Sequence, residues 1–151
     1  MTTTLAPAPP SVDRAYIALG IALLAGVTEA VLRTAAQLEE QGVDIGSLAT
    51  GLAIRVLIYL VVAAVMLRMR AGRRWARTAL TVGLGTVGLV SLLVEPLAAL
   101  LSANPVGPVT LDAVAIGTAR SVHVIAVIVA LVSMYRRDAR VYFRRPAPHP
   151  A

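Results

Sequence analysis

SLATGLAIRVLIYLVVAAVMLRMRAGRRWAR, residues 47–77, is a nearly unbroken apolar run that ends in a turn carrying Arg68, Arg70, Arg73, Arg74 and Arg77 and no acid. A helix crosses the roughly 30 Å hydrocarbon core with about 20 residues. The run 47–69 is long enough to do so. Open strands cannot cross lipid, because their backbone groups would go unpaired, so the β-branched residues here are no argument for a sheet. Working outward, three further apolar runs of similar length lie at about 15–36, 76–101 and 109–135. Four runs of this kind predict an all-α, four-helix transmembrane bundle, antiparallel between sequential neighbours because the connections are short.

The connections set the orientation. Residues 37–46, QLEEQGVDIG, carry Glu39, Glu40 and Asp44 and no base, and residues 102–108, SANPVGP, carry no charge. Residues 136–145, RRDARVYFRR, carry Arg136, Arg137, Arg140, Arg144 and Arg145. Arginine in short loops stays on the cytoplasmic side. The pattern predicts both termini inside and the first and third loops outside. Trp75, Tyr135 and Tyr142 stand beside the inner arginines, where an interfacial aromatic belt is expected. The ten inner arginines are expected to contact anionic lipids of the inner leaflet.

Composition agrees. Of 151 residues, 58% are hydrophobic and 15% charged, with a mean hydropathy of +0.78; soluble proteins average about 25% charged. The length allows one domain, 13–145, between a disordered N-terminal tail (1–12) and a disordered C-terminal tail, PAPHPA (146–151). The first run lacks a positive region ahead of it and contains Glu29, so it reads as a retained span rather than a cleaved signal. The net charge is +6, all of it from arginine, a usage that suggests a GC-rich bacterial genome and the cell membrane as location. Because the arginines sit at the ends of apolar runs, the basic balance points to membrane and not to nucleic acid. The absence of cysteine excludes disulfides, thiol redox chemistry and thiolate metal sites.

Small residues let membrane helices approach closely. Ala18, Ala22, Gly26 and Ala30 recur in the first span, and Thr81, Gly85, Gly88 and Ser91 in the third. Ser47 and Gly51 lead to Arg55, and Ala113 and Gly117 lead to Arg120. These stripes are expected to mark helix contacts. GLGTVG (83–88) spells a dinucleotide-binding glycine pattern, but it sits inside a span, follows no strand and reads as packing glycine.

Glu29, Arg33, Arg55, Glu95, Asp112, Arg120 and His123 fall in or near the hydrocarbon layer. A charge there costs several kcal/mol unless it faces the bundle interior and finds a partner. From the 1.5 Å rise per residue, Arg55 lies roughly 18 Å above the cytoplasmic boundary, Glu29 and Arg120 roughly 21 Å, and Glu95 roughly 24 Å. The expectation is one ion network in the outer half of the bundle. Pro96 removes a backbone donor next to Glu95 and is expected to kink the third span. Two readings stand: pairs that lock the helices together, or a small-ligand, headgroup or proton site in an outward-facing cavity. Asp112 and Arg33 could also simply meet water. His123 reads first as a packing residue and second as a proton relay. With His149 in the tail, no metal ligand set exists, and no cofactor is expected.

AGRRWARTALTVGLG, residues 71–85, resembles a stretch of uncharacterised small four-helix membrane proteins of actinobacteria, in which a basic G-R-x-W-A-R turn precedes the third span. The resemblance implies a bacterial membrane protein and assigns no activity. YIALGIALLAG (16–26) is similar in texture to the opening of small multidrug-resistance transporters. Glu29 comes later than their glutamate, Arg33, Arg55 and Arg120 have no counterpart there, and aromatics are only 4% of this chain. Hydrolase, P-loop, zinc-protease and Rossmann motifs are missing. The sequence therefore predicts a non-catalytic accessory or structural subunit of a larger envelope or transport assembly, with a larger membrane protein or a second copy as partner. The alternative is a small transporter or a lipid- or small-ligand-binding protein that uses the intramembrane charges.

Overall fold

In a computed structural model, which describes residues 8–39, 42, 44–90, 94, 97, 101 and 110–144, every regular element is helical. Helix α1 spans Pro10–Leu38, α2 Ile45–Arg70 and α3 Arg74–Val82. The chain then winds through a π-helical segment, Gly83–Gly88. Helix α4 spans Leu111–Met134 and α5 Arg137–Arg144. Helices α1, α2 and α4 have 29, 26 and 24 residues and mean hydropathies of 2.0, 2.3 and 2.0, so each is long and apolar enough to cross a membrane. Most of their leucine, isoleucine and valine side chains face outward, an apolar surface that lipid covers and water would not tolerate. The second half of the expected third span, with Ser91, Glu95 and Pro96, lies outside the described residues.

Local chemistry sets the helix boundaries. Pro10 is the first residue of α1, where its fixed φ is favourable and its missing N–H costs nothing. The helix thus begins inside the stretch that composition assigns to the tail, and Ser11 and Val12 are buried. Asp44 caps α2 by accepting from the Gly46 N–H at 3.0 Å, and Thr110 caps α4 by accepting from the Ala113 N–H at 3.2 Å. Helix α2 ends in a Schellman motif: Gly72, at φ +78°, donates to the Met69 carbonyl, and Arg73 donates to that of Arg68. Glycine is needed there because the left-handed conformation strains any residue with a Cβ.

Helix α1 packs chiefly along α4 and less on α2, although α2 is its neighbour in sequence. The small-residue stripe explains the choice: Ala18, Ala22, Gly26 and Ala30 are all buried. The two helices run antiparallel, as the pairing shows. Ala22 shares a cluster with Ala126 and Val127, Gly26 lies against His123, and Glu29 meets Arg120. The other stripes behave differently. Gly85 approaches Leu131, where an added Cβ would stand 3.2 Å from Cδ1. Gly51 and Gly117 have nothing within 4 Å of a Cβ position. Contrary to expectation, the Ser47–Gly51 and Ala113–Gly117 edges face outward and make no helix contact among the described residues.

The main core sits at the arginine-rich end, where Val12, Leu19, Met69, Leu80, Met134 and Phe143 form one cluster. Here the N-terminus of α1, the α2–α3 turn and α5 gather. Asp13 pairs with Arg70 at 3.4 Å, and the Arg70 guanidinium lies 4.9 Å from the Tyr16 ring centre. The Tyr142 hydroxyl donates to the Arg70 carbonyl at 2.9 Å. Residues 137–144 therefore form a packed helix whose Ala139 and Phe143 are buried, where sequence suggested only a basic tail.

Candidate functional site

Toward the other end the helices separate around a cavity of about 350 Å³. Glu29, on the buried stripe of α1, is 7% exposed. Its Oε1 accepts from Arg33 Nε at 3.1 Å and from Arg120 Nε and Nη2 at 3.1 and 2.9 Å. Arg33 reaches it because residues four apart on a helix share a face. Arg120 reaches it across the α1–α4 interface, in the strong charge-assisted geometry of guanidinium and carboxylate. Arg55 enters the wall from α2, and so does Tyr59 one turn later. The Tyr59 hydroxyl donates to the Gly26 carbonyl at 2.8 Å, which ties α2 to α1 at the cavity floor. His123 lies over Gly26, and its Nδ1 is buried without a hydrogen bond among the described residues. Leu23, Ile58, Val62 and Leu84 supply apolar wall.

Of the residues singled out from sequence, the structure brings Glu29, Arg33 and Arg120 into direct contact and sets Arg55 and His123 on the same cavity wall. Asp112 stands exposed in the first turn of α4 and is not part of the wall. Glu95 lies outside the described residues. Tyr59 was missed, although its spacing of four from Arg55 puts it on the same helix face. Leu84 and Gly88 were missed as wall residues because the π-helical segment, with one more residue per turn, re-aims that stretch. Thr86 Oγ1 donates to the Val82 carbonyl within the same segment.

The ten arginines at the other end also divide. Arg68, Arg73, Arg136, Arg137 and Arg144 are exposed. Arg70, Arg74, Arg77 and Arg140 make contacts within the protein. Arg145 lies outside the described residues. Among the described residues, no cluster of three or more histidine, cysteine or acidic side chains could hold a metal ion.

Gly26 is where the site tolerates least. A Cβ there would stand 3.0 Å from His123 Cε1 and Nδ1 and 3.6 Å from Tyr59 Cε1. Gly26→Leu is expected to displace the imidazole, break the Tyr59 bond and cost about 1–3 kcal/mol by overpacking. Unfolding of the purified variant in detergent measures this; a stability equal to that of the parent would mean the cavity absorbs the side chain. Compared with protein-family models, curated proteins and solved structures, the chain matches none.

Proposed function

We propose that this is a four-span, non-catalytic protein of the bacterial cell membrane, with both termini in the cytoplasm, that holds an anionic ligand in the cavity between α1, α2 and α4. The observation that carries the reading is Arg55. It lines the cavity yet forms no ion pair or hydrogen bond with a described residue. Glu29 already serves Arg33 and Arg120. The other acids within the expected spans are Glu95 and Asp112, and Asp112 stands exposed outside the wall, so three guanidinium groups face at most two carboxylates. An arginine at that depth costs several kcal/mol until an anion or water meets it. With leucine, isoleucine and valine in the wall, the ligand class that fits is an amphiphile with one anionic head and an apolar chain.

The test uses the full chain in nonionic detergent, titrated with oleate and with phosphatidylglycerol. Arg55→Leu is expected to weaken binding of the preferred probe at least about tenfold, the value of one lost charge-assisted contact, while the helical content and melting temperature stay as in the parent. Equal binding by parent and variant would end the proposal.

A second reading, the accessory subunit, is favoured by α2. This helix is the most apolar of the three long helices and has only Met66 and Met69 buried. Its outward Ser47–Gly51 edge has the small residues through which membrane helices associate. Purification in mild detergent tests it: a stoichiometric partner is expected, and recovery of this chain alone counts against it.

A further inference from the structure

A second cavity, of about 380 Å³, opens at the arginine-rich end and is lined by Arg74, Arg77, Tyr135, Arg140, Phe143 and Arg144. Four guanidinium groups share one space, and no carboxylate lines it among the described residues. The fold itself holds them there. Arg74 donates through Nε and Nη2 to the carbonyls of Phe143 and Arg144, closing the C-terminus of α5. Arg140 donates through Nε to the Tyr135 carbonyl at 3.0 Å. The Arg77 guanidinium sits 5.1 Å from both the Tyr135 and the Phe143 ring centres, and its Nε is buried with no hydrogen bond among the described residues. These bonds orient the arginines but neutralise none of them. Among the described residues they leave Nη1 of Arg74 and both terminal nitrogens of Arg140 as donors, and Arg77 and Arg144 add their guanidinium groups to the wall. Tyr135, held by its hydroxyl to Thr81 Oγ1 at 3.1 Å, completes the wall.

Like charges gathered in this way repel. They are held together by cation–π contact and by the negative end of α5, and each of these compensates only in part. A tetrahedral anion with several oxygens satisfies arginine donors arriving from two helices, α3 and α5, better than a planar carboxylate, which one arginine fork saturates. We propose that this cavity is a binding site for a terminal phosphate group, borne by a phosphomonoester lipid headgroup or present as free inorganic phosphate. The site lies at the opposite end of the bundle from the Glu29 cavity and does not depend on the function proposed for it. It also differs from general attraction to a negative leaflet, which any exposed arginine supplies.

The full chain in nonionic detergent is titrated separately with phosphatidic acid, with phosphatidylcholine and with inorganic phosphate, and binding is read as retained lipid and as a rise in melting temperature. Saturable one-to-one binding of phosphatidic acid but not of phosphatidylcholine is expected. Binding of inorganic phosphate as tightly as phosphatidic acid would also support the site and would make its source soluble. Arg77→Gln and Arg144→Gln are each expected to weaken binding about tenfold. The Arg144 variant keeps the backbone carbonyl that Arg74 uses, so it reports even if the Arg77 variant fails to fold. The double variant Arg136→Gln, Arg137→Gln, exposed and outside the cavity, is expected to change binding less than about twofold. If neither phosphate probe binds, or if the exposed pair matters as much as Arg144, the proposal is overturned.

Discussion

Glu29→Ala is expected to destabilise the protein by about 3–5 kcal/mol, the loss that follows when one member of a buried ion pair is removed and its partner stays. Glu29 Oε1 is the meeting point of two arginines from two helices, and the α1–α4 interface is the most extensive among the described residues. Truncation leaves two guanidinium groups crowded at 29% and 18% side-chain exposure. Arg33 is near enough to the end of α1 to extend toward water, whereas Arg120 is held on the opposite helix. Removing that charge as well, in Glu29→Ala with Arg120→Leu, should therefore recover most of the loss, because an apolar pair suits the site better than a guanidinium that has lost its Glu29 contact. Unfolding of the single and double variants by denaturing detergent measures the cycle. An effect near 0.6 kcal/mol, the average for polar pairs between membrane helices, would show that water or lipid headgroups already compensate Arg120. The contact would then be an ordinary one.

How far the sequence carries is visible in particular residues. Ala18, Ala22, Gly26 and Ala30 could be read as a contact face because a spacing of four is a property of one helix. Their partner could not be read, since nothing in the α1 sequence distinguishes α2 from α4 as a neighbour. Depth estimates brought Glu29 and Arg120 to the same level, and they are in contact. Depth says nothing about angle around a helix axis, so Arg55, at a similar level, is expected in the same network, yet it lines the cavity wall and forms no ion pair among the described residues. Asp112 is grouped with the cluster because it falls near the edge of the expected hydrocarbon layer, and its place in the first turn of α4 leaves it exposed. The widening of the helix at Gly83–Gly88 has no periodic signature, because it replaces periodicity. The largest shortfall is α5. RRDARVYFRR is so basic that a topology rule explains it completely, and a complete explanation hides the two buried residues, Ala139 and Phe143, that make it a helix.

Phe143→Ala should therefore have a large effect from an unpromising position. Phe143 is 1% exposed and joins Ala76, Leu80, Met134 and Ala139 in the main core. Its ring meets Tyr142 edge-on, with centres 5.4 Å apart, and carries the Arg77 guanidinium. Deleting a buried phenylalanine side chain costs about 3–5 kcal/mol. Because Phe143 belongs to a short terminal helix, the bundle has a cheaper response than global unfolding: α5 can detach and leave α1–α4 assembled. The loss is then bounded by the docking energy of α5 and appears as local opening. The expected result is faster amide exchange across residues 137–144, by about a hundredfold or more at 1.4 kcal/mol per decade, with the middle of α1 and α4 little changed. Phe143→Leu should restore most of the protection, since a leucine fills much of the same volume without the ring contact. If exchange rises equally in α1 and α4, then α5 is no appendage but part of the cooperative core. Exchange in 137–144 that does not change would mean that burial of Phe143 contributes little to holding α5.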